Sequence, residues 1–567
     1  MTAQPAVRST PQELFEHHLP TLQGALDAIA QRGYWSPFAE HVKAYGEEAP
    51  AAGRAAFDAQ LGAPFALDQP SSGRRVGSER SPYGFELGIT YPHASADQLL
   101  DAAAAALPSW RDAGVQGRTG VVLELLERIN ARSFELAHAV MHTTGQAFPM
   151  AFQAGGPHAQ DRALEAVAYA YEAMSAVPET ALWEKPQGKR PPLRMQKRFT
   201  VVGRGVGLLF GCNTFPTWNG YPGLFASLAT GNPVIVKPSR RAILPLAITV
   251  AIAREVLAEA GLDPNVVTLA VDADGERLAG PLSQRKEVRI IDFTGSTAFG
   301  DQLEAESSHA VVFTEKAGVN CVVVDSTDDY RGLLGNLAFT LSLYSGQMCT
   351  TTQNVYVPRD GIETDAGHRS FEQFGKDLAA AIEGPLGDPA RATGILGAIV
   401  NDDVRTRLER AGELGELVLA STAVEHPEFP DAVVRTPALV AVDGPAAAAA
   451  QEEQFGPITL LVPTASTQES LDAWQATVAA HGALTAGVYT TDEAVVEAAE
   501  RVALDVGVAL SLNLTGGVFV NQSAAFSDFH GTGLNPAANA SLSDLAFVTP
   551  RFHVVQSRRH VAEEAQG

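Results

Sequence analysis

Gly231-Asn232-Pro233-Val234-Ile235-Val236-Lys237-Pro238-Ser239 decides the fold. Its apolar centre is too short for a helix and is bounded by turn residues, so it reads as a buried strand ending at Lys237. A helix over 244–260 follows, closed by Gly261, a helix-stop residue. Strands are expected at 266–270 and 288–293, with another upstream at 201–210 and a helix over 225–230. Strands alternating with helices imply a mostly parallel, doubly wound sheet. The alternation resumes beyond Glu315, with strands at 322–324 and 354–357 around a helix over 330–344.

Upstream the chain is helical. In 11–62, Leu14, Phe15, His18, Leu22 and Leu26 recur at helical spacing. Residues 71–83 are rich in Ser, Gly and Arg and read as a linker. The helical pattern returns behind Ser95, an N-cap residue, with Leu99, Leu100, Ala103 and Leu107, and continues through Val121, Leu125, Ile129 and Leu136. A third helical run covers 160–175. The texture changes at 185–198, where Lys185, Lys189, Arg190, Arg194, Lys197 and Arg198 surround Pro191-Pro192. The tail from Phe547 to Val555 reads as an extended arm.

The 567 residues suffice for several domains, and 46% hydrophobic with 19% charged is ordinary for a globular chain. A formal net charge of −24 argues against nucleic acid or an anionic membrane as partner. Three cysteines, Cys212, Cys321 and Cys349, cannot make a disulfide framework, which indicates a reducing compartment. The first twenty residues lack the basic start and apolar core of a signal peptide, and no apolar run reaches the roughly 18 residues of a membrane span. A cytoplasmic location is expected.

Four segments carry chemistry. Gly295-Ser296-Thr297-Ala298-Phe299-Gly300 follows a strand and opens a helix, where backbone N–H groups favour phosphate oxygens. Its Gly-x-x-x-x-Gly spacing departs from Gly-x-Gly-x-x-Gly, so alone it is equally a structural turn. Lys237 ends a buried strand, where open α/β sheets bind ligands and where an ammonium could hold ribose hydroxyls. Cys349 sits in Ser345-Gly346-Gln347-Met348-Cys349-Thr350-Thr351, a polar, bendable context. A lone thiol is more often packing than chemistry, but Glu315, thirty-four positions upstream, offers a separate base. Cys212 and Cys321 sit in apolar contexts and read as core. Glu453-Gln454-Phe455-Gly456-Pro457 places an acid and an aromatic before a turn, where Glu453 and Phe455 could border a ribose and a nicotinamide.

In this order and spacing, the segments from about residue 85 to 555 resemble the aldehyde dehydrogenase superfamily. Within it the chain looks like the PaaN type of phenylacetate-degradation proteins, on Tyr34-Trp35-Ser36-Pro37-Phe38 and the segment Asn213 to Pro222, Asn-Thr-Phe-Pro-Thr-Trp-Asn-Gly-Tyr-Pro. The resemblance implies an α/β fold with doubly wound parallel sheets in two domains. A cofactor-binding domain would take 81–187 and 205–314, and a catalytic domain 315–545. A helical N-terminal extension would take 1–80, and an oligomerisation arm 188–204 and 546–567. A homodimer or homotetramer follows from such an arm.

The resemblance also implies roles. Cys349 attacks the aldehyde carbonyl as thiolate, Glu315 activates the water that hydrolyses the thioester, and the Cys349 N–H with a side-chain amide holds the oxyanion. The family places that amide directly before Phe-Pro. Here Thr214 stands there and Asn213 one position earlier, so Asn213 would reach through a bulge. Lys237 and Glu453 would grip the two riboses, Ser239 and Phe455 would flank the cofactor, and Gly295, Ser296 and Gly300 would cradle its pyrophosphate. Arg240 stands where many NAD-preferring members carry Glu, and a guanidinium there would pair with a 2′-phosphate, so NADP is expected ahead of NAD. No metal is expected. The implied substrate is a CoA-thioester semialdehyde, 3-oxo-5,6-dehydrosuberyl-CoA semialdehyde, and the basic run 185–198 is either a CoA-phosphate contact or a solvated face. The competing readings are a CoA-acylating dehydrogenase, against which Glu315 counts, and a non-catalytic scaffold of the same fold.

Overall fold

The computed structural model describes residues 9–561. The ends of the expected extension, 1–8, and of the expected arm, 562–567, lie outside the described residues.

Two parallel sheets form the frame. The first has five strands in the order Val267–Leu269, Val234–Lys237, Val206–Phe210, Val288–Thr294 and Val311–Glu315, all parallel. The chain starts at the centre, steps outward twice, then returns to the other side of the first strand. The direction therefore reverses between Val206–Phe210 and Val288–Thr294, which opens a crevice at their carboxyl ends. Val234, Ile235 and Val236 are each 2% exposed or less, which is why this strand reads as a continuous apolar run.

The second sheet has seven strands, in the order Glu416–Leu419, Ala438–Ala441, Ile458–Thr464, Thr352–Pro358, Asn320–Val324, Thr485–Tyr489 and Ala509–Leu512. Only the first of these is antiparallel to its neighbour. Helices cover both faces of each sheet, and the alternation seen in the sequence is this α/β architecture.

A third, antiparallel sheet joins Thr180–Gln187, Arg190–Gly203 and Phe552–His560. Nearly all its residues are partly or fully exposed, including Leu182, Leu193, Val554 and Val555. Arg551 bolts its final strand to the first sheet. The guanidinium is fully buried, 2.5 and 2.8 Å from the Asp292 carboxylate and 2.7 Å from Ser227 Oγ, between the rings of Phe313 and Phe547.

Several boundaries differ from those read in the sequence. The run 11–62 is two helices, Pro11–Gln31 and Ala49–Asp58, with a single 3-10 turn between them. Thr10 and Glu13 form a capping box at the start, and Arg32 in a left-handed conformation ends the first helix before Gly33 and Pro37. The helix expected over 225–230 spans Pro216–Ala229. Two prolines concealed its beginning, although Pro216 in the first turn costs no hydrogen bond. The strand expected over 201–210 is two strands belonging to different sheets, divided at Arg204-Gly205. The tail is a short helix, Leu545–Val548, followed by the strand Phe552–His560.

Candidate active site

The two sheets deliver Glu315 and Cys349 to one place from opposite sides. Glu315 ends the edge strand of the first sheet. Cys349 lies three residues ahead of Thr352, the first residue of the strand Thr352–Pro358 in the second. Three consecutive left-handed residues, Tyr344, Ser345 and Gly346, turn the chain before the thiol. Gly346 is required there, because a Cβ would lie 2.4 Å from the Gly456 carbonyl oxygen. Ser345 Oγ donates to Gly397 O at 3.0 Å and Gln347 Nε2 to Ala398 O at 3.0 Å, so the strained turn is pinned on both sides. Asn320 Nδ2 donates to the carbonyls of Cys349 (2.8 Å) and Thr351 (3.0 Å).

Glu315 is 2% exposed. Its Oε2 accepts from Asn219 Nδ2 at 3.1 Å and lies 3.1 Å from His530 Nε2. Its Oε1 is enclosed and has no hydrogen-bond partner among the described residues. Donor atoms of Glu315, Cys349 and His530 lie within 4.8 Å of one another. Burial pulls the Glu315 carboxyl up, but His530, the Cys349 thiol and the Asn219 amide outweigh it and hold it below the ordinary carboxylate value. Burial, then the Glu315 charge, push the Cys349 thiol well above its ordinary value, with smaller contributions from Cys212 and Glu453. The resting pair is thus a thiol facing a carboxylate.

Asn219, Trp218 and His530 are not among the candidate site residues of the sequence, although Trp218 and Asn219 lie in the segment that carries the PaaN resemblance. Asn219 lies one turn into the helix Pro216–Ala229, and the Trp218 ring meets His530 edge-on at 4.5 Å. Proline spacing, once recognised as a helix start, would have turned Asn219 toward the site. Asn213 is partly buried with its Oδ1 enclosed and unpartnered among the described residues. Cys212 corrects the reading of that thiol as core. It lies just past the strand Val206–Phe210, with Sγ 3.7 Å from Asn219 Oδ1 and 3.4 Å from the Phe215 N–H that donates to it. Burial pushes its thiol up to about 12. Cys321 is buried in its strand, as core.

The dinucleotide candidates line the carboxyl edge of the first sheet. Gly295 and Ser296 are exposed at the start of the helix Thr297–Glu306, and the Ser296 side chain makes no capping hydrogen bond there within the described residues. That helix start flanks the crevice and leaves N–H groups for an anion, so it fits a pyrophosphate. Gly300 serves packing, since a Cβ there would lie 2.6 Å from Lys316 Cδ. Lys237 is buried, with Nζ 2.8 Å from Asp272 Oδ2. Ser239 is half-buried and Arg240 exposed. Across the site, burial raises Glu453 to about 7 against the pull of Arg407, and the Phe455 carbonyl accepts from Arg407 at 2.5 Å.

The family description "Aldehyde dehydrogenase family" matches residues 81–533. The chain is 59% identical to a crystal structure of an NAD-dependent aldehyde dehydrogenase from Burkholderia multivorans, with a TM-score of 0.95, covering 97% of this chain and 99% of that one. A 1-pyrroline-5-carboxylate dehydrogenase from Thermus with bound NAD shares the fold at 20% identity and a TM-score of 0.71, over 93% of this chain and 99% of its own. Among curated relatives, N-succinylglutamate 5-semialdehyde dehydrogenase of Paraburkholderia xenovorans is 28% identical over 411 residues, 70% of this chain and 77% of that protein. Succinate-semialdehyde dehydrogenase of Paenarthrobacter nicotinovorans is 24% identical over 450 residues, 77% of this chain and 91% of that protein. No helix among the described residues is long and apolar enough to cross a membrane.

Proposed function

The chain belongs to the aldehyde dehydrogenase family, and from that premise we propose that it oxidises an aldehyde to a carboxylic acid through a thioester on Cys349. The approach of Glu315, Cys349 and His530 to within 4.8 Å, from two different sheets and a loop, carries this reading. The Cys349 thiol gives up its proton to solvent, and the thiolate adds to the aldehyde carbonyl. The developing oxyanion is met by the Cys349 N–H and by a side-chain amide from the segment of Asn213 and Asn219. Removing one such donor typically costs roughly 2.7–4 kcal/mol of barrier. Bound nicotinamide supplies the hydride acceptor that turns the adduct into a thioester. Glu315 then deprotonates water, which releases the acid and frees the thiol.

Lys237, Ser239, Gly295 and Ser296 would hold the dinucleotide on one side, and Glu453 with Phe455 on the other. NAD is the cofactor that similarity to the Burkholderia enzyme supports, while exposed Arg240 is the feature that would favour NADP. For the substrate we keep a semialdehyde. The curated relatives named above act on semialdehydes, and resemblance to the PaaN type narrows this to a ring-opened CoA-thioester semialdehyde of phenylacetate breakdown. The exposed three-stranded sheet, with apolar Leu182, Leu193 and Val555 on its surface, supports a homo-oligomer joined through this arm. Absorbance of reduced cofactor, followed with a panel of semialdehydes and once each with NAD and NADP, tests the reading. Identifying the product separates hydrolysis from transfer to CoA. No cofactor reduction with any aldehyde would overturn it.

A further inference from the structure

The helical segment ahead of residue 81 lies outside the family match, yet it reaches the active site through one loop. That loop, residues 521–530, has no regular secondary structure and ends at His530. The loop is held from three directions. Arg162, 1% exposed, donates from Nη1 to the Asp528 carbonyl at 2.8 Å and from Nη2 to Ser523 Oγ at 2.9 Å. Trp35 packs edge-on against Phe526 at 5.0 Å. Arg32 lays its guanidinium over the Phe529 ring at 3.9 Å, while Nη1 donates to Tyr169 Oη at 2.7 Å.

These contacts are built into the local sequence. Arg32 takes the left-handed position that ends the helix Pro11–Gln31 and turns the chain toward Trp35. Gly24, within that helix, makes room for the indole, since a Cβ there would lie 2.6 Å from Trp35 Cζ2. Phe526 is fully buried and itself left-handed, with φ of 64°. A non-glycine residue in that region persists only where its surroundings enforce it.

The loop delivers one side chain to the chemistry. His530 is 5% exposed, with its ring against Trp218 and Nε2 at 3.1 Å from Glu315 Oε2. With Asn219 Nδ2 on the same oxygen, two donors converge on Oε2 while Oε1 keeps no partner among the described residues. A carboxylate clamped through one oxygen has its other oxygen fixed in direction and free to take a proton. Two donors also favour the ionised form.

We propose that His530 is a positioning residue for Glu315, and that the N-terminal extension holds it there through Arg32 and Trp35. This rests on the reading of Glu315 as the base that resolves a Cys349 thioester. The charged and titratable groups facing the pair are Cys349, Cys212 and Glu453, with Arg162 behind Trp218 at 5.6 Å. None of these belongs to the extension, and Trp35 meets the loop at Phe526, so a change in Glu315 ionisation caused by Trp35 is indirect.

The test uses the full-length protein and p-nitrophenyl acetate, an activated ester that acylates a nucleophilic thiol without cofactor. The nitrophenolate burst reports acylation of Cys349, and the steady rate reports deacylation by Glu315. In the wild type the deacylation rate falls at low pH as Glu315 is protonated. His530→Ala should preserve the burst, lower the plateau of the steady rate severalfold through lost positioning, and move the acidic limb up by about one pH unit, since lost donors raise a carboxyl pKa. His530→Gln, which keeps an N–H donor, should recover most of both. Trp35→Ala should shift the limb in the same direction, and should add nothing in the His530→Ala background.

Unchanged limb and rate in folded His530→Ala overturn the positioning role. Additive shifts in the double variant overturn the part assigned to the extension. A wild type with no burst overturns the Cys349 reading itself and this inference with it, so the two failures are told apart. Thermal unfolding of each variant identifies those that fail to fold, and for His530 the Gln variant then carries the test.

Discussion

Lys237 Nζ lies 2.8 Å from Asp272 Oδ2, with both side chains largely buried at the carboxyl edge of the five-stranded sheet. Asp272 Oδ1 in turn accepts from the Leu278 N–H at 2.9 Å. The lysine is therefore held in place before any ligand arrives, in an orientation set by the loop after Val267–Leu269.

This pair separates binding from stability. Lys237→Met should weaken NAD binding roughly ten- to a hundredfold, the worth of one charge-assisted contact. It should also destabilise the fold, because Asp272 is left as a buried charge without its cation. Asp272→Asn should also destabilise, since its one amide oxygen can accept from the Leu278 N–H or from Lys237 but its NH2 can accept from neither, and Lys237 is left buried without its counter-charge. Cofactor titration and thermal unfolding on both variants check this. Equal cofactor affinity for Lys237→Met and wild type would remove Lys237 from the binding site.

Cys349→Ala should abolish aldehyde oxidation and leave cofactor binding intact, because only the covalent step is lost. Cys212→Ala, in the same site, is the comparison. It should keep turnover within a few-fold, since Cys212 Sγ lies against Asn219 and Phe215 and its thiol is pushed up to about 12 by burial. Turnover of Cys349→Ala within about tenfold of wild type would transfer the chemistry elsewhere, because losing a nucleophile costs far more than that.

The alkylation of Cys349 should depend on pH in a direction set by its neighbour. Burial and the Glu315 carboxylate both raise the thiol, so iodoacetamide should react slowly near neutrality and faster as pH rises. Glu315→Gln removes the negative charge. The thiol pKa should fall and the alkylation profile should move to lower pH, although steady-state turnover collapses and a single-turnover burst of reduced cofactor persists. A profile that stays put would mean that Glu315 does not face the thiol in solution. Loss of the burst would place Glu315 before hydride transfer.

Much of the frame was legible in the sequence because it is periodic. The run Val234–Lys237 and the helix after it have the lengths and boundaries of a parallel unit, and the same spacing returns beyond Glu315. Cys349 stood out through the glycine beside it, and the turn at Gly346 is indeed one that no other residue could occupy without moving the Gly456 carbonyl. His530 had no such marker. It ends an irregular stretch held by side chains hundreds of positions away, Arg162 and Trp35 among them, and such contacts leave no local pattern. Cys212 was misread as core because its preceding strand is apolar, whereas a strand's carboxyl end is where the chain leaves the core. Asn219 was hidden by prolines that suggested a loop and in fact open a helix.

The buried pair of Arg551 and Asp292 should carry a large share of the attachment of the last strand. Breaking a buried ion pair from one side typically costs about 3–5 kcal/mol. Arg551→Met should approach that figure, because it strands Asp292 and removes the contacts to Ser227 and to the Phe313 and Phe547 rings. Denaturant unfolding measures it, and size-exclusion chromatography of wild type and variant shows whether the size of the particle in solution changes with it. A loss below about 1 kcal/mol, the level of an exposed pair, would mean that the pair is open to water.

Arg240 makes the cofactor question decidable. It is exposed three residues beyond Lys237, at the edge of the crevice, while similarity to the Burkholderia enzyme supports NAD. A guanidinium that reached a 2′-phosphate would contribute about 1.5–3 kcal/mol, or roughly ten- to a hundredfold in affinity. If Arg240 makes that contact, the wild type binds NADP at least as well as NAD. Arg240→Glu should then weaken NADP far more than NAD, because it adds repulsion to the lost contact. Paired titrations of both cofactors on wild type and variant give the answer. Equal losses would assign Arg240 to supporting the loop, and a wild type that clearly prefers NAD would show that the side chain points away from the ribose.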